Sequence, residues 1–220
     1  MKHIKLFENF DSESIDEICG KYGIRNYTIN DDGSVDVEGD LSLSDKGLYK
    51  LPLKIKRVNG DFYCSYNRFS TLLGFPEYVS GNFHCCDNNK LTSLEGCPSY
   101  VGGLFACVRN NLNDLKYSPG YVGGDFYCSE SGLNNLIGLN CDIGGMFYCD
   151  KKLQIIYFLL NHEESRNYFT DFYNFHIITN LDSEKPDFNL RRFEKFLKLY
   201  DLPTPRLQLI DKLKDYYNII

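Results

Sequence analysis

A phrase of the form Gly-x-Phe-x-Cys recurs along the chain at a nearly constant spacing. Its glycines are 21, 21, 22, 21 and 21 residues apart, at Gly39, Gly60, Gly81, Gly103, Gly124 and Gly145. A fixed period of this length is typical of solenoids, whose repeats are each too small to bury an apolar face alone. The period therefore predicts a stack of coils that share one continuous core.

Apolar residues follow each glycine at the second and fourth positions. The second position holds Leu41, Phe62, Phe83, Phe105, Phe126 and Phe147, and the fourth holds Leu43, Cys64, Cys85, Cys107, Cys128 and Cys149. A period of two predicts a strand with one buried face, and stacked copies predict a parallel sheet. We expect these cysteines to be buried thiols, because free cysteine is among the most buried residue types. A disulfide or metal ladder is the alternative, since adjacent strands bring successive cysteines close together.

The rest of each repeat predicts a polar turn and an opposite wall. An asparagine follows the cysteine by three residues in three copies (Asn67, Asn88, Asn110), and Ser131 takes its place in the fourth. Stacked side chains of this kind are expected to form a ladder that pairs buried backbone groups. An apolar pair three residues apart then leads to a proline, so extended backbone is favoured over helix in the opposite wall.

The unit from Phe62 to Phe69 resembles the core phrase of a leucine-rich repeat. Phe62, Cys64, Asn67 and Phe69 take the places of its later leucines and its asparagine, and the short period is similar to the short bacterial type. The resemblance covers residues 37–150 and implies a parallel sheet on the concave side of the solenoid. The chain departs from the family by using Phe and Cys where Leu is usual.

The segments that flank the repeats are interpreted as caps. Residues 1–36 predict an N-terminal cap, because a short amphipathic helix ending near Gly20 precedes two alternating runs around Asp31-Asp32-Gly33, which indicate a hairpin. Residues 37–150 form the solenoid. Residues 151–220 predict an α-helical region that either caps the core or binds a partner, with an apolar stripe at Phe193, Phe196, Leu197 and Tyr200. The expected fold is thus a leucine-rich-repeat-like solenoid with a helix and hairpin cap and a helical C-terminal region.

Composition and motifs argue against several classes of function. The net charge of −6 comes with no broad basic surface, so no nucleic-acid partner is expected. No apolar run approaches the roughly 18 residues that cross a membrane, which favours a cytoplasmic protein without a membrane partner. The four histidines stand in no metal or catalytic-triad spacing, and no phosphate-binding or nucleophile motif is present. We expect no cofactor, no metal and no enzymatic activity.

The residues between the inward positions predict a binding surface. They would form two outward columns on one sheet: Asp61, Tyr63, Asn82, His84, Leu104, Ala106, Asp125, Tyr127, Met146 and Tyr148. Tyrosine is enriched at interfaces, so these columns favour a protein partner over a neutral solvated face. Arg109 and Glu130, just past the strands, are expected to be rim charges that orient the partner. The simpler interpretation is that tyrosine merely suits strand packing.

Two other classes of function remain open at this point. A small-ligand protein or enzyme would use a site in the C-terminal region, for example Tyr168, His176 and Arg191, and a structural protein would self-associate through the concave face. The opening MKHIKLFENF resembles the start of proteins encoded by tailed bacteriophages, and the repeat is similar to repeats of phage genomes. That resemblance implies expression in the bacterial host cytoplasm, where a binding module would neutralise a host factor such as a defence protein.

Overall fold

Each repeat forms one coil that contributes a short strand to each of two parallel sheets. The computed structural model describes residues 14–150, 153, 156–157, 177–181, 183–200, 202 and 211–220. The strands that follow the repeat glycines form one sheet, which we call the phenylalanine sheet, and the strands that precede these glycines form the other, which we call the valine sheet. Successive coils lie next to one another in both sheets, as the period predicts, so the chain is a β-solenoid of about five turns.

The strands of the phenylalanine sheet begin at the apolar residue that follows each glycine. They are β3 (Leu41–Ser42), β5 (Phe62–Tyr63), β7 (Phe83–His84), β9 (Phe105–Ala106), β11 (Phe126–Tyr127) and β13 (Phe147–Tyr148). All neighbouring pairs are parallel and in register, so Phe62 pairs with Phe83 and Phe83 with Phe105. The inward rings and thiols are buried, and the ring centroids of neighbouring phenylalanines lie 4.8 to 5.6 Å apart. The predicted alternation of buried and outward residues is confirmed.

The valine sheet is a second sheet, parallel from β2 onward, that the repeat analysis did not predict. Its strands are β1 (Tyr27–Ile29), β2 (Val35–Glu38), β4 (Ile55–Asn59), β6 (Tyr78–Val79), β8 (Tyr100–Val101), β10 (Tyr121–Val122) and β12 (Asp142–Ile143). The regular spacing of the valines before each glycine reflects their burial in this sheet, where Val58, Val79 and Val101 are fully covered.

A tight corner joins the two strands of each coil, and glycine is required there by close approach. A Cβ atom at Gly81 would lie 2.1 Å from the Asp61 carboxylate and 2.9 Å from the backbone of the preceding coil. At Gly102 a Cβ atom would lie 2.1 Å from the carbonyl oxygen of Ser80. Real Cβ atoms do not approach backbone so closely, so the corners stack only because these positions lack a side chain.

The asparagine ladder is present and buried. The Asn88 amide nitrogen donates to the carbonyl oxygens of Cys64 (3.3 Å) and Cys85 (3.1 Å), and its side-chain oxygen accepts from the Phe69 N–H (3.4 Å). The Asn110 side chain repeats this arrangement one coil later, donating to Cys85 and Cys107. These bonds satisfy backbone groups of the turn that would otherwise be buried without partners.

The N-terminal helix and hairpin are confirmed, with corrected helix ends. Helix α1 (Ile15–Tyr22) is capped by Ser14 in a reciprocal capping box with Glu17. Its C-cap residue is Gly23, three residues beyond the predicted end. Gly23 has a φ of 70°, a conformation that glycine adopts readily, and so it provides the stop. Strands β1 and β2 form the predicted antiparallel hairpin, and β2 then pairs in parallel with β4 as the first strand of the solenoid.

The described part of the C-terminal region contains one long helix and a small sheet. Helix α2 (Leu190–Leu199) buries Phe193, Phe196 and Leu197, in agreement with the predicted stripe. Strands β14 (Ile178–Thr179), β15 (Asp187–Phe188) and β16 (Asn218–Ile219) form a three-stranded sheet in which β15 is central. Helix α2 confirms the predicted helical character, and the small sheet is an addition that was not predicted, because its two-residue strands leave no alternating pattern.

Candidate partner-binding face

The outward side of the phenylalanine sheet carries the predicted columns in register. One column contains Tyr63, His84, Ala106, Tyr127 and Tyr148, because each pairs with the next across the parallel ladder. The other column contains the residues just before each inward ring, which are Asp61, Asn82, Leu104, Asp125 and Met146. We call this surface the tyrosine face. Most of its side chains are half-buried, and Met146 is 48% exposed.

The rings of the tyrosine face form two stacked pairs. The Tyr63 and His84 centroids lie 4.9 Å apart with an interplanar angle of 13°, and those of Tyr127 and Tyr148 lie 4.6 Å apart at 7°. Ala106 separates the two pairs and is buried, although its strand position points outward. The predicted continuous column of outward side chains is therefore two aromatic platforms with a small apolar residue between them.

Aspartates of the neighbouring column hold the tyrosine hydroxyl groups. Tyr63 donates to Asp61 Oδ2 at 2.7 Å, and Tyr127 donates to Asp125 Oδ2 at 2.9 Å. The other oxygen of each carboxylate accepts a backbone N–H from the next coil, from Asn82 at 2.7 Å and from Met146 at 2.8 Å. Each of these two tyrosine rings is thus held at its hydroxyl by a carboxylate that is itself bonded to the backbone.

These contacts set the charge states of the face. Burial opposes ionisation of Asp61, but hydrogen bonds from the Asn82 N–H and the Tyr63 hydroxyl outweigh it and keep the pKa of Asp61 below its ordinary value. The hydrogen bonds to the carboxylates raise the pKa of Tyr63 and of Tyr127. Burial lowers the pKa of His84, so this ring is neutral at pH 7. The face therefore presents an ionised Asp61 beside the neutral Tyr63 and His84 rings.

The two predicted rim charges lie just beyond the strands. Arg109 and Glu130 are exposed, and both have a positive φ, of 55° and 54°. The Arg109 guanidinium is already paired, because it donates to both carboxylate oxygens of Asp87 at 2.7 and 2.9 Å. The carboxylate of Glu130 is exposed, while its backbone N–H donates to Asp150 at 3.0 Å.

A second aromatic stack, on the valine sheet, was missed by the sequence analysis. Tyr78, Tyr100 and Tyr121 pair in register with ring centroids 4.9 and 5.0 Å apart, and the Arg57 guanidinium lies 4.3 Å above the Tyr78 ring. Tyr100 and Tyr121 are each 37% exposed. A tyrosine directly before the valine in three successive repeats was the signal that could have revealed this stack.

The cysteines at the inward strand positions are buried thiols, as predicted. All nine cysteines lie in the described residues and none forms a disulfide, and those at the inward strand positions are covered by the core. Burial raises the pKa of Cys64, Cys85, Cys107 and Cys128 well above the ordinary thiol value. Thiols in this state are poor nucleophiles and poor metal ligands.

The alternative site in the C-terminal region is only partly visible. Tyr168 and His176 lie outside the described residues, and Arg191 is exposed in the first turn of α2. A cleft of about 450 Å³ lies between the last coil and the C-terminal region, and its described lining includes Asp150, Leu153 and Tyr216 but not Arg191. Within the described ranges no three potential metal ligands cluster.

Comparisons with known proteins identify no relative. No family model, no curated protein and no solved structure matches the chain. Among the residues that the structure describes, no helix has the length and apolar character needed to span a bilayer.

Proposed function

We propose that the chain is a non-catalytic protein-binding module that engages its partner through the tyrosine face. The observation that carries this proposal is the pair of stacked ring platforms, in each of which one tyrosine hydroxyl donates to an aspartate. Side chains ordered before binding lose little conformational entropy on association. Tyrosine is also among the residues that contribute most to binding at interfaces.

The rest of the face supports the same proposal. Leu104 and Met146 place apolar surface beside the ring pairs, while the aspartates and Glu130 surround it with polar groups. An apolar centre with a polar rim is the usual anatomy of a protein interface. Arg109 would orient the partner from the rim through the exposed part of its ion pair with Asp87.

The proposed partner is a protein of a bacterial host. This part of the proposal rests on the resemblance of the opening residues and of the repeat to phage-encoded proteins. In that setting the module would act in the host cytoplasm and neutralise a host factor such as a defence protein. The platform geometry supports protein binding but does not select the partner.

The test is affinity capture from bacterial lysate with the wild-type chain and two double variants. Tyr127→Ala/Tyr148→Ala removes one platform of the tyrosine face. Tyr100→Ala/Tyr121→Ala is the matched control, because it removes an equally stacked pair from the valine sheet. Two interface tyrosines are worth roughly 1–2 kcal/mol each, so the first variant should weaken binding about a hundredfold. The control should bind like wild type.

The outcomes separate the competing functions. A partner that the control keeps and the Tyr127→Ala/Tyr148→Ala variant loses supports the proposal. Both variants should retain cooperative unfolding, since the substituted rings point away from the core. If the captured partner is kept by both variants, or if no protein is captured, the tyrosine face is not the binding site. The cleft next to Asp150 would then become the candidate site, for a small ligand.

A further inference from the structure

The tyrosine face and the outward positions next to it carry negative charge with almost no compensating positive charge. Each coil of the phenylalanine sheet has outward residues one before, one after and three after its inward Leu or Phe. Over the six coils from Asp40 to Asp150 these positions include four aspartates and no lysine or arginine (Asp40, Asp61, Asp125 and Asp150). The histidine among them, His84, has its pKa lowered by burial. The face is therefore anionic at pH 7.

The turn that borders the face does not neutralise this charge. The following position in successive coils holds Asp45, Tyr66, Asp87, Arg109 and Glu130. Lys151 continues this row in the last coil, so the row holds three acidic and two basic residues, and the charge of Arg109 is matched by Asp87 at 2.7 Å. Asp45 and Glu130 stay exposed. The border thus adds negative charge to the face.

The valine sheet differs in this respect although it also carries stacked tyrosines. Arg57 covers the Tyr78 ring at one end of that stack, and Lys54 and Lys56 lie on the same strand segment or beside it. The ladder that contains these tyrosines ends at Asp142, so charges of both signs border the stack, whereas the outward positions of the phenylalanine sheet hold aspartates and no lysine or arginine.

From this charge pattern we propose that the partner of the tyrosine face presents a cationic, arginine-rich surface. This inference rests on the proposed function and names the chemistry of the partner. A guanidinium group can lie over a tyrosine ring and donate to the adjacent carboxylate at the same time. The chain itself shows both contacts, with Arg57 over Tyr78 at 4.3 Å and Arg109 donating twice to Asp87.

The repulsion between neighbouring carboxylates gives a further reason. Asp40 and Asp61 occupy equivalent positions in adjacent coils, and the Asp61 N–H donates to the Asp40 carboxylate at 2.8 Å. Like charges at neighbouring positions of a sheet are destabilising. A cation placed between them relieves that repulsion on binding, whereas nucleic-acid phosphates would increase it.

The test uses a defined probe, a fluorescein-labelled peptide of alternating arginine and glycine, with binding followed by fluorescence anisotropy. Asp61→Asn/Asp125→Asn removes two charges from the face, and asparagine can still accept the backbone N–H bonds of Asn82 and Met146. Glu77→Gln/Glu95→Gln is the control, because it removes two exposed charges outside the tyrosine face. We expect the face variant to bind the peptide about fivefold or more weakly, and the control to bind within about twofold of wild type.

Salt and competitor arms complete the test. Binding should weaken several-fold between about 50 mM and about 300 mM NaCl, since salt screens exposed charges. A glutamate–glycine peptide and a single-stranded DNA oligonucleotide should not bind. The inference is overturned if both double variants weaken the arginine peptide equally, if wild type does not bind it, or if the anionic probes bind. Should the lysate partner nevertheless depend on Tyr127 and Tyr148, the proposed function stands and only the cationic partner is rejected.

Discussion

Replacing Asn88 by alanine should destabilise the solenoid strongly, because this side chain is fully buried and bonds four backbone groups, one of them the Cys86 carbonyl at 3.2 Å. Its amide nitrogen donates to the carbonyl oxygens of Cys64 and Cys85, and its oxygen accepts from the Phe69 N–H. The Asn88→Ala variant removes the partner of the Phe69 N–H, whereas the carbonyl groups lose one donor each and keep another. The unpaired buried N–H costs about 1–2 kcal/mol and each lost bond to a carbonyl about 0.5 kcal/mol, so the free energy of unfolding should fall by about 3 kcal/mol. That is a large share of the roughly 5–15 kcal/mol that stabilises a typical domain.

The chain supplies its own intermediate case. Ser131 occupies the equivalent position of a later coil, and its hydroxyl donates to the Cys107 carbonyl at 2.8 Å. Asn88→Ser should therefore keep one carbonyl bond but still leave the Phe69 N–H unpaired, and lose about 2 kcal/mol. The neighbouring Asn89 is exposed, so Asn89→Ala should change stability by less than about 0.5 kcal/mol.

Urea unfolding followed by circular dichroism measures these differences directly. The expected order of stability is wild type and Asn89→Ala together, then Asn88→Ser, then Asn88→Ala. If Asn88→Ala unfolds at the same urea concentration as Asn89→Ala, the ladder contributes nothing measurable and the reasoning fails. An Asn88→Ser variant as unstable as Asn88→Ala would instead show that the single serine bond has no value at this site.

Two further predictions concern the corner and the core. Gly102→Ala should destabilise the folded chain by about 2 kcal/mol, because the new Cβ would lie 2.1 Å from the Ser80 carbonyl oxygen. Gly120→Ala should be tolerated, because the nearest atom to its Cβ would lie at 3.5 Å. Equal melting temperatures of the two variants would contradict this prediction. Burial raises the pKa of thiols such as Cys85 above 9.0. The protonated thiols therefore stabilise the folded state fully below about pH 9, and this contribution to the free energy of unfolding is lost as the pH rises further. Urea midpoints at about pH 8 and about pH 10 should show that loss, and Cys85→Ala should reduce it; a midpoint independent of pH would refute it.

The sequence alone determined the coil of the solenoid. The Gly-x-Phe-x-Cys period, the inward residues and the asparagine ladder could all be predicted, because in a repeat each copy contacts mainly its neighbours. The same local pattern then reports both the strand and the burial of its alternate residues. The N-terminal helix and hairpin were also visible, since capping residues and turn residues act within a few positions of one another.

Tertiary structure decided the surfaces. The outward tyrosines could be predicted, but not that Tyr63 pairs with His84, that Tyr127 pairs with Tyr148, or that Ala106 is covered between them. Those facts depend on side-chain packing between coils, which a period does not encode. The valine sheet and the three-stranded C-terminal sheet were missed for a related reason. Their mostly two-residue strands are too short to alternate, and their partners lie many residues away along the chain, so only the folded chain brings them together.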